Sequence, residues 1–295
     1  MVAVGGEQMT LVPERRITLG GVPVDVRSFD EAVEIIASRA LAGLATPLAV
    51  ASINLDHIHH FGTGSTWGTR LSAKLDRNRT SRPSVEWLNL VDGAPVAARA
   101  RRVVGRAVQR LAGSDLIGSL LDRAELTGAS VGFLGGSPET QSRLREDLTR
   151  ERQVLRISGF WAPTREELSD PDACTRLSDE IAATKTNILI VGLGKPRQEL
   201  WIAEYGPATE AQVLLAFGAV VDFLAGRVRR APRWVARAGL EWAWRLVLEP
   251  RRLSRRYLVE GPAAMVTLLR RSSTAPGKAA AGRHRRSSNT FPPEG

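Results

Sequence analysis

The stretch "ILIVGLGKPRQELWI", Ile188 to Ile202, decides the fold. Ile188 to Val191 is a run of aliphatic residues, too short for a helix and unbroken as a strand buried on both faces would be. Gly192-Leu193-Gly194 ends it, and Lys195-Pro196-Arg197-Gln198-Glu199 opens an aromatic-rich helix. A buried strand, a glycine turn and a helix start form half of a βα unit.

The same grammar recurs on either side. "PLAVASIN", "SVEWLNLVDG", "SVGFLGGSPE", "QVLRISGF" and "QVLLAFGAVVD" are apolar runs that end in polar residues or glycine, and helical patterns separate most of them. Pro138 to Thr149 and Gln198 to Tyr205 are two such helices. Ile17 to Val26 alternates around a Gly-Gly turn, and Asp30 to Leu41 reads as a helix with Ser28 or Asp30 as its cap. The class is α/β: a Rossmann-like, mostly parallel sheet flanked by helices, with a basic C-terminal helical appendage and a disordered tail.

Of the 295 residues, 43% are hydrophobic and 24% charged, the balance of a folded water-soluble chain. The one cysteine, Cys174, excludes an internal disulfide and a cysteine-only metal cage; its polar neighbours mark it as a passenger. Met1 to Gly20 lacks a signal peptide. The longest charge-free run, Leu41 to Leu55, is shorter than the roughly 20 residues a bilayer requires. Net charge is +10, yet Gly226 to Arg286 holds 16 basic residues against 3 acidic, so the remainder is −3. Such a block points to an anionic surface, lipid headgroups or nucleic acid. The division expected is a flexible leader over 1–16, an α/β domain over 17–230, a basic Trp/Arg-rich appendage over 231–270 and a disordered tail over 271–295.

Ligands of open parallel sheets sit at the carboxyl ends of the strands. At one such end Gly192 and Gly194 allow close backbone approach, the following helix start suits phosphate, Lys195 adds charge, and Gln198 and Glu199 are placed to read hydroxyls or a base edge. Pro196 suits the first helical turn. At another, Gly135 and Gly136 precede Ser137, a cap, and Pro138. Asp92 follows a strand, where a carboxylate serves as general base or as a turn residue bonded to its own backbone. "ASINLDHIHH" offers Ser52 and Asn54, then His57, His59 and His60 without the i, i+4 spacing and further ligand of a zinc site. Asp170 and Asp172 read as a loop. A nicotinamide oxidoreductase shares Gly-x-Gly after a strand, but the third glycine and the distal acid are missing. A specific nucleic-acid reader is disfavoured because the body is not basic.

These motifs, in order, resemble one family. "VGLGKPRQELWI" and "FGAVVDFLAGRVRRAPRWVARAGLEWAWRLVLEPRRLSRRYL" resemble the two C-terminal signatures of the WecG/TagA/CpsF glycosyltransferases; "ASINLDHI", "VDGAPVAARA", "RLAGSDL" and "VGFLGGSPET" resemble its earlier motifs, over Ile17 to Tyr257. The resemblance implies an inverting, metal-independent enzyme that needs no cofactor. It would move a hexose or N-acetylhexosamine from a UDP-sugar to a polyprenyl-diphosphate-linked saccharide for cell-surface polysaccharide. It implies Asp92 as catalytic base. Ser52, Asn54, Arg110, Gly113, Ser114, Asp115, Gly135, Gly136, Gly194, Lys195, Gln198, Glu199 and Asp222 would line the substrate pocket. Arg230, Arg233, Trp234, Arg237, Trp242, Arg245, Arg251, Arg252, Arg255 and Arg256 would face the membrane or the lipid diphosphate. The expected location is the cytoplasm, peripherally on the inner membrane surface; a homo-oligomer is left open. Ser52 stands where the family often has Thr, "FGAVVD" has fewer glycines than usual, and residues 62–87 diverge, which leaves the acceptor least defined.

Overall fold

In the computed structural model the described residues are 16–72, 84–218, 220–224, 241–248 and 253–274, without the side chains of 222, 223, 241, 242, 245, 248 and 257. Residues 1–15 of the leader, Arg230, Arg233, Trp234, Arg237, Arg251, Arg252 and the segment 275–295 lie outside them, as does the middle of the diverged segment, 73–83; Arg16, assigned to the leader, opens the first strand.

The Gly-Gly turn expected near the start forms. Strand β1 (Arg16–Leu19) and β2 (Val22–Asp25) pair antiparallel across Gly20 and Gly21, both at positive φ, the conformation a two-residue hairpin demands. Helix α1 (Phe29–Ala40) follows with Ser28 as cap and Glu31 completing a capping box. Then come β3 (Leu48–Ile53), α2 (Leu55–Phe61), a helix α3 seen over 66–72, β4 (Glu86–Val91), α4 (Ala94–Val104) and α5 (Gly113–Thr127). The chain continues through β5 (Val131–Gly135), α6 (Pro138–Glu151), β6 (Ile157–Trp161), α7 (Arg165–Ser169), α8 (Pro171–Ala183), β7 (Ile188–Gly192), α9 (Arg197–Tyr205), β8 (Val213–Ala216) and α10 (Val220–Leu224). After α11 (Glu241–Leu248), a π-helical turn (Arg255–Glu260) leads into α12 (Gly261–Arg270).

The eight strands form one sheet in the order β1-β2-β4-β3-β8-β7-β5-β6, parallel everywhere except the β1–β2 hairpin. Alternate residues of the central strands feed two cores, while β1 and β2 feed one. On one face α2, α4, α8, α9 and α12 cover Ala51, Ile53, Leu134, Val191 and Leu214; on the other α1, α5, α6 and α10 cover Val50, Leu90, Phe133, Ile190 and Leu215. Both faces being buried is why the central strands read as continuous apolar runs. Neighbouring strands β5 and β7 send their helices, α6 and α9, to opposite faces, and open parallel sheets take ligands in the crevice at the carboxyl ends of such a strand pair.

Several boundaries differ from the reading of the letters. "SDPDA" is a helix start, not a loop: Asp170 caps α8 by accepting from the Asp172 N–H, with Pro171 first in the helix. Cys174 is buried in the core, because its polar neighbours lie on the other side of α8. Of "QVLRISGF" only the second half is strand. Pro196 is the cap of α9 rather than within it, after a cis Lys195–Pro196 bond. Residues 271–274 do not begin a free tail: Ser273 bridges Thr18 of β1 in both directions, at 2.9 and 3.0 Å.

Asp25 fastens the hairpin to the parallel sheet. Its buried carboxylate takes two bonds from Arg16, at 2.8 and 2.9 Å, and one from the Asn89 N–H of β4 at 2.9 Å. Asp25→Ala would strand a partly buried guanidinium and a buried N–H. It is expected to cost about 3–5 kcal/mol, read as a lower midpoint in urea unfolding.

Candidate active site

The residues singled out at strand ends gather at the carboxyl edge of the sheet. Gly135 ends β5 at φ 106°, and a Cβ there would run into the carbonyl of Gly192 at the end of β7. Gly192 in turn sits under Val221, and Gly218, after β8, lies against the Gln198 side chain. Gly113 opens α5 flat against the Phe217 ring. Gly136 and Gly194 also have positive φ, 78° and 76°, and the space beside Gly194 is open. Backbone, not side chains, therefore makes this edge of the crevice, and α5, α6 and α9 all begin beside it. Their N-terminal N–H groups and partial positive charge suit a diphosphate. Ser137 caps α6 by accepting from Thr140 N–H, as its sequence indicates.

Asp92, half-buried, follows β4. Its Oδ1 accepts from the Gly93 N–H at 2.7 Å and its Oδ2 from the Asn54 amide at 3.3 Å. Asn54 ends β3 and caps α2, its Oδ1 accepting from the His57 N–H at 3.1 Å. The Leu111 N–H donates to the Val91 carbonyl at 2.7 Å, which brings the loop carrying Arg110 beside the end of β4. Arg110 pairs with Asp115 in the first turn of α5 at 3.7 Å, and Ser114 stands next to it.

Lys195, Gln198 and Glu199 are turned inward. The Lys195 ammonium donates to the Ser52 carbonyl at 2.9 Å and lies 3.4 Å from Glu199 Oε1. Glu199 is 0% exposed and Gln198 1%. The Gln198 amide donates to Glu199 Oε1 and to the Ala216 carbonyl. His57 Nδ1 approaches the same carboxylate oxygen at 3.6 Å. Burial alone would push the Glu199 carboxyl up; the Lys195 ammonium and His57 outweigh it and hold the carboxyl at about 2. Burial pushes the His57 imidazole below its ordinary value, against the pull of Glu199. Ser52 Oγ and Gln198 Oε1 are buried without a hydrogen-bond partner in the protein.

The three histidines face different acids: His57 meets Glu199, His59 meets Glu260 and His60 meets Asp56. Arg256 reaches Asp56 at 3.1 Å, which ties the C-terminal segment to α2, while Arg255 pairs with Glu260 at 3.2 Å. Asp222 lies in α10, and Trp242 and Arg245 in α11, with side chains outside the described residues. The role of Gln141 was not legible in sequence. Its buried amide donates to the carbonyls of Gly135 and Trp161 and so holds the ends of β5 and β6. Its place three residues after a helical proline marks only a helix turn.

The buried pair has a measurable signature. The Glu199 carboxyl sits at about 2 in the fold against an ordinary 4.5, so its contribution to stability is complete above pH 4.5 and is lost as pH falls through 2. Glu199→Gln is expected to flatten that part of the stability–pH curve, measured by denaturant unfolding at pH 7 and pH 3. Lys195→Ala, which leaves Glu199 buried without its ammonium partner, is expected to cost on the order of 3–5 kcal/mol at pH 7.

Comparison with known proteins agrees with this geometry. Residues 17–277 match the Glycosyl transferase WecG/TagA/CpsF family. A relative from Bacillus spizizenii (strain ATCC 23059 / NRRL B-14472 / W23), N-acetylglucosaminyldiphosphoundecaprenol N-acetyl-beta-D-mannosaminyltransferase, is 30% identical over 188 residues, 63% of this chain and 70% of the relative. With the family match spanning the whole α/β sheet, its crevice and α12, the chain belongs to the WecG/TagA/CpsF family of glycosyltransferases.

Proposed function

We propose that the chain transfers an N-acetylhexosamine-type sugar, N-acetylmannosamine being the first candidate, from a UDP-sugar to an undecaprenyl-diphosphate-linked N-acetylglucosamine, for a cell-surface polymer. The choice of sugar and acceptor follows the name of the Bacillus relative. The observation that carries the reading is Asp92, half-buried at the end of β4 and held by two donors, Gly93 N–H and Asn54, on the same carboxyl edge of the sheet as the bare glycine turns after β5 and β7.

In this reaction the acceptor hydroxyl oxygen attacks the anomeric carbon from the face opposite UDP. Asp92 accepts the hydroxyl proton as the new bond forms, and UDP leaves with the electron pair of the broken C–O bond, so the configuration inverts. The negative charge that develops on the diphosphate is met by helix N-termini and by arginine, in place of a metal. Arg110, paired with Asp115 in a loop that Leu111 ties to the end of β4, is the candidate for such a role.

The acceptor is a lipid, and the C-terminal segment offers a surface for it. Leu258, Val259, Val266 and Leu269 are 47–66% exposed along the π-turn and α12, with Arg255 exposed at one end and Arg270 and Arg271 at the other. An apolar stripe with basic ends fits an anionic membrane interface. Among the described residues no helix is long and apolar enough to cross a bilayer.

The test is turnover of UDP-N-acetylmannosamine with a short-chain prenyl-diphosphate N-acetylglucosamine acceptor, with and without EDTA. Asp92→Asn is expected to lower kcat by about 10² to 10⁴ while UDP-sugar binding by calorimetry is retained; turnover that survives the change removes Asp92 as base. For the surface, Leu258→Asp with Leu269→Asp is expected to weaken sedimentation with phosphatidylglycerol vesicles by about tenfold or more without altering UDP binding.

A further inference from the structure

We propose that His57 and Glu199 are positioning residues that hold Asp92 in one orientation through Asn54, a role that rests on Asp92 being the base. Both ends of the Asn54 amide are in use. Its oxygen accepts from the His57 N–H and its nitrogen donates to Asp92 Oδ2, so the amide has one orientation and Asp92 is gripped from β3 as well as from Gly93. Asn54 is only as fixed as the helix it caps. That helix, α2, has seven residues, too few to persist by its own backbone bonds.

Side chains supply what the backbone lacks. His57, buried, stacks at a tilt on Phe61 with centroids 4.6 Å apart and turns Nδ1 toward Glu199 at 3.6 Å, an electrostatic contact beyond hydrogen-bond reach. Glu199 comes from α9, and its neighbour Lys195 donates to the carbonyl of Ser52, two residues before Asn54. The turn after β7 and the turn after β3 are thus joined twice, although β8 lies between those strands. A fully buried carboxylate is expensive where an apolar side chain would pack. Its return here is orientation: it fixes the ammonium on one carbonyl and the imidazole on one side of α2.

The decisive experiment is a pair of cycles. Asn54→Ser keeps a capping oxygen but loses the donor to Asp92; Glu199→Gln keeps the volume but loses the charge. Each is made in the full chain alone and with Asp92→Asn, and assayed with the donor and acceptor above, using radiolabelled sugar. Each single change is expected to lower kcat by about 10- to 100-fold with donor KM within about threefold. In the Asp92→Asn background each is expected to cost less than about threefold, since the group acted upon is gone. Equal losses in both backgrounds, or a raised donor KM at unchanged kcat, would overturn the proposal. Wild-type turnover in Asp92→Asn would instead remove the base itself. A readout without substrate separates the two: Glu199→Gln should speed amide exchange over residues 57–62 relative to α1, and unchanged exchange would also overturn it. If Glu199→Gln does not fold, the same cycle made with His57→Gln decides in its place.

Discussion

Two adjacent strands of a parallel sheet keep side chains between their ends unless neither end carries one. Here Gly135 of β5 meets the backbone of Gly192 of β7 with no room for a Cβ. Because the helices that follow leave on opposite faces, the crevice splits where the backbone is barest. Gly113 makes room for the Phe217 ring, and Gly218 for the Gln198 side chain, nearby. The site is therefore lined by amide groups set in place by the fold itself, which no longer have to reorganise when charge arrives.

The second constraint is electrical. The fold buries an acid, Glu199, and meets it with Lys195 from one turn earlier in the chain and His57 from another layer of contacts. Packing alone would favour apolar residues at such a depth. The glycine turn after β7 has little side-chain packing of its own, and the Lys195 bond to the Ser52 carbonyl ties it to β3 across the intervening strand. Glycine supplies approach, and the buried charges supply rigidity.

Much of this was legible in the letters, and the gaps have physical causes. The central strands announced themselves because both faces are buried, and the hairpin because Gly20-Gly21 divides an alternating run. The position of Asp92 followed from its strand. Its restraint by Asn54 did not, since β3 and β4 are distant in sequence and their pairing is a property of the sheet. The inward turn of Lys195 and Glu199 was equally hidden: the same residues after a glycine turn read as ligand contacts. The histidines of α2 suggested metal chemistry only by their letters; folding sends each to a different acid. "SDPDA" misled because Asp and Pro favour loops and helix starts alike, and only the following burial pattern separates them.

The bridge between Thr18 and Ser273 has a temporal side. β1 is the outer strand of the sheet, and the Gly21 N–H beside it donates to the Arg271 carbonyl. Strand β1 leaves the ribosome before residues 271–273, which among the described residues cover its edge, have been made. Throughout synthesis that edge stands open as a template for another strand. The residues just after α12 close it, so the order of translation makes the segment 271–273 the guard of strand β1.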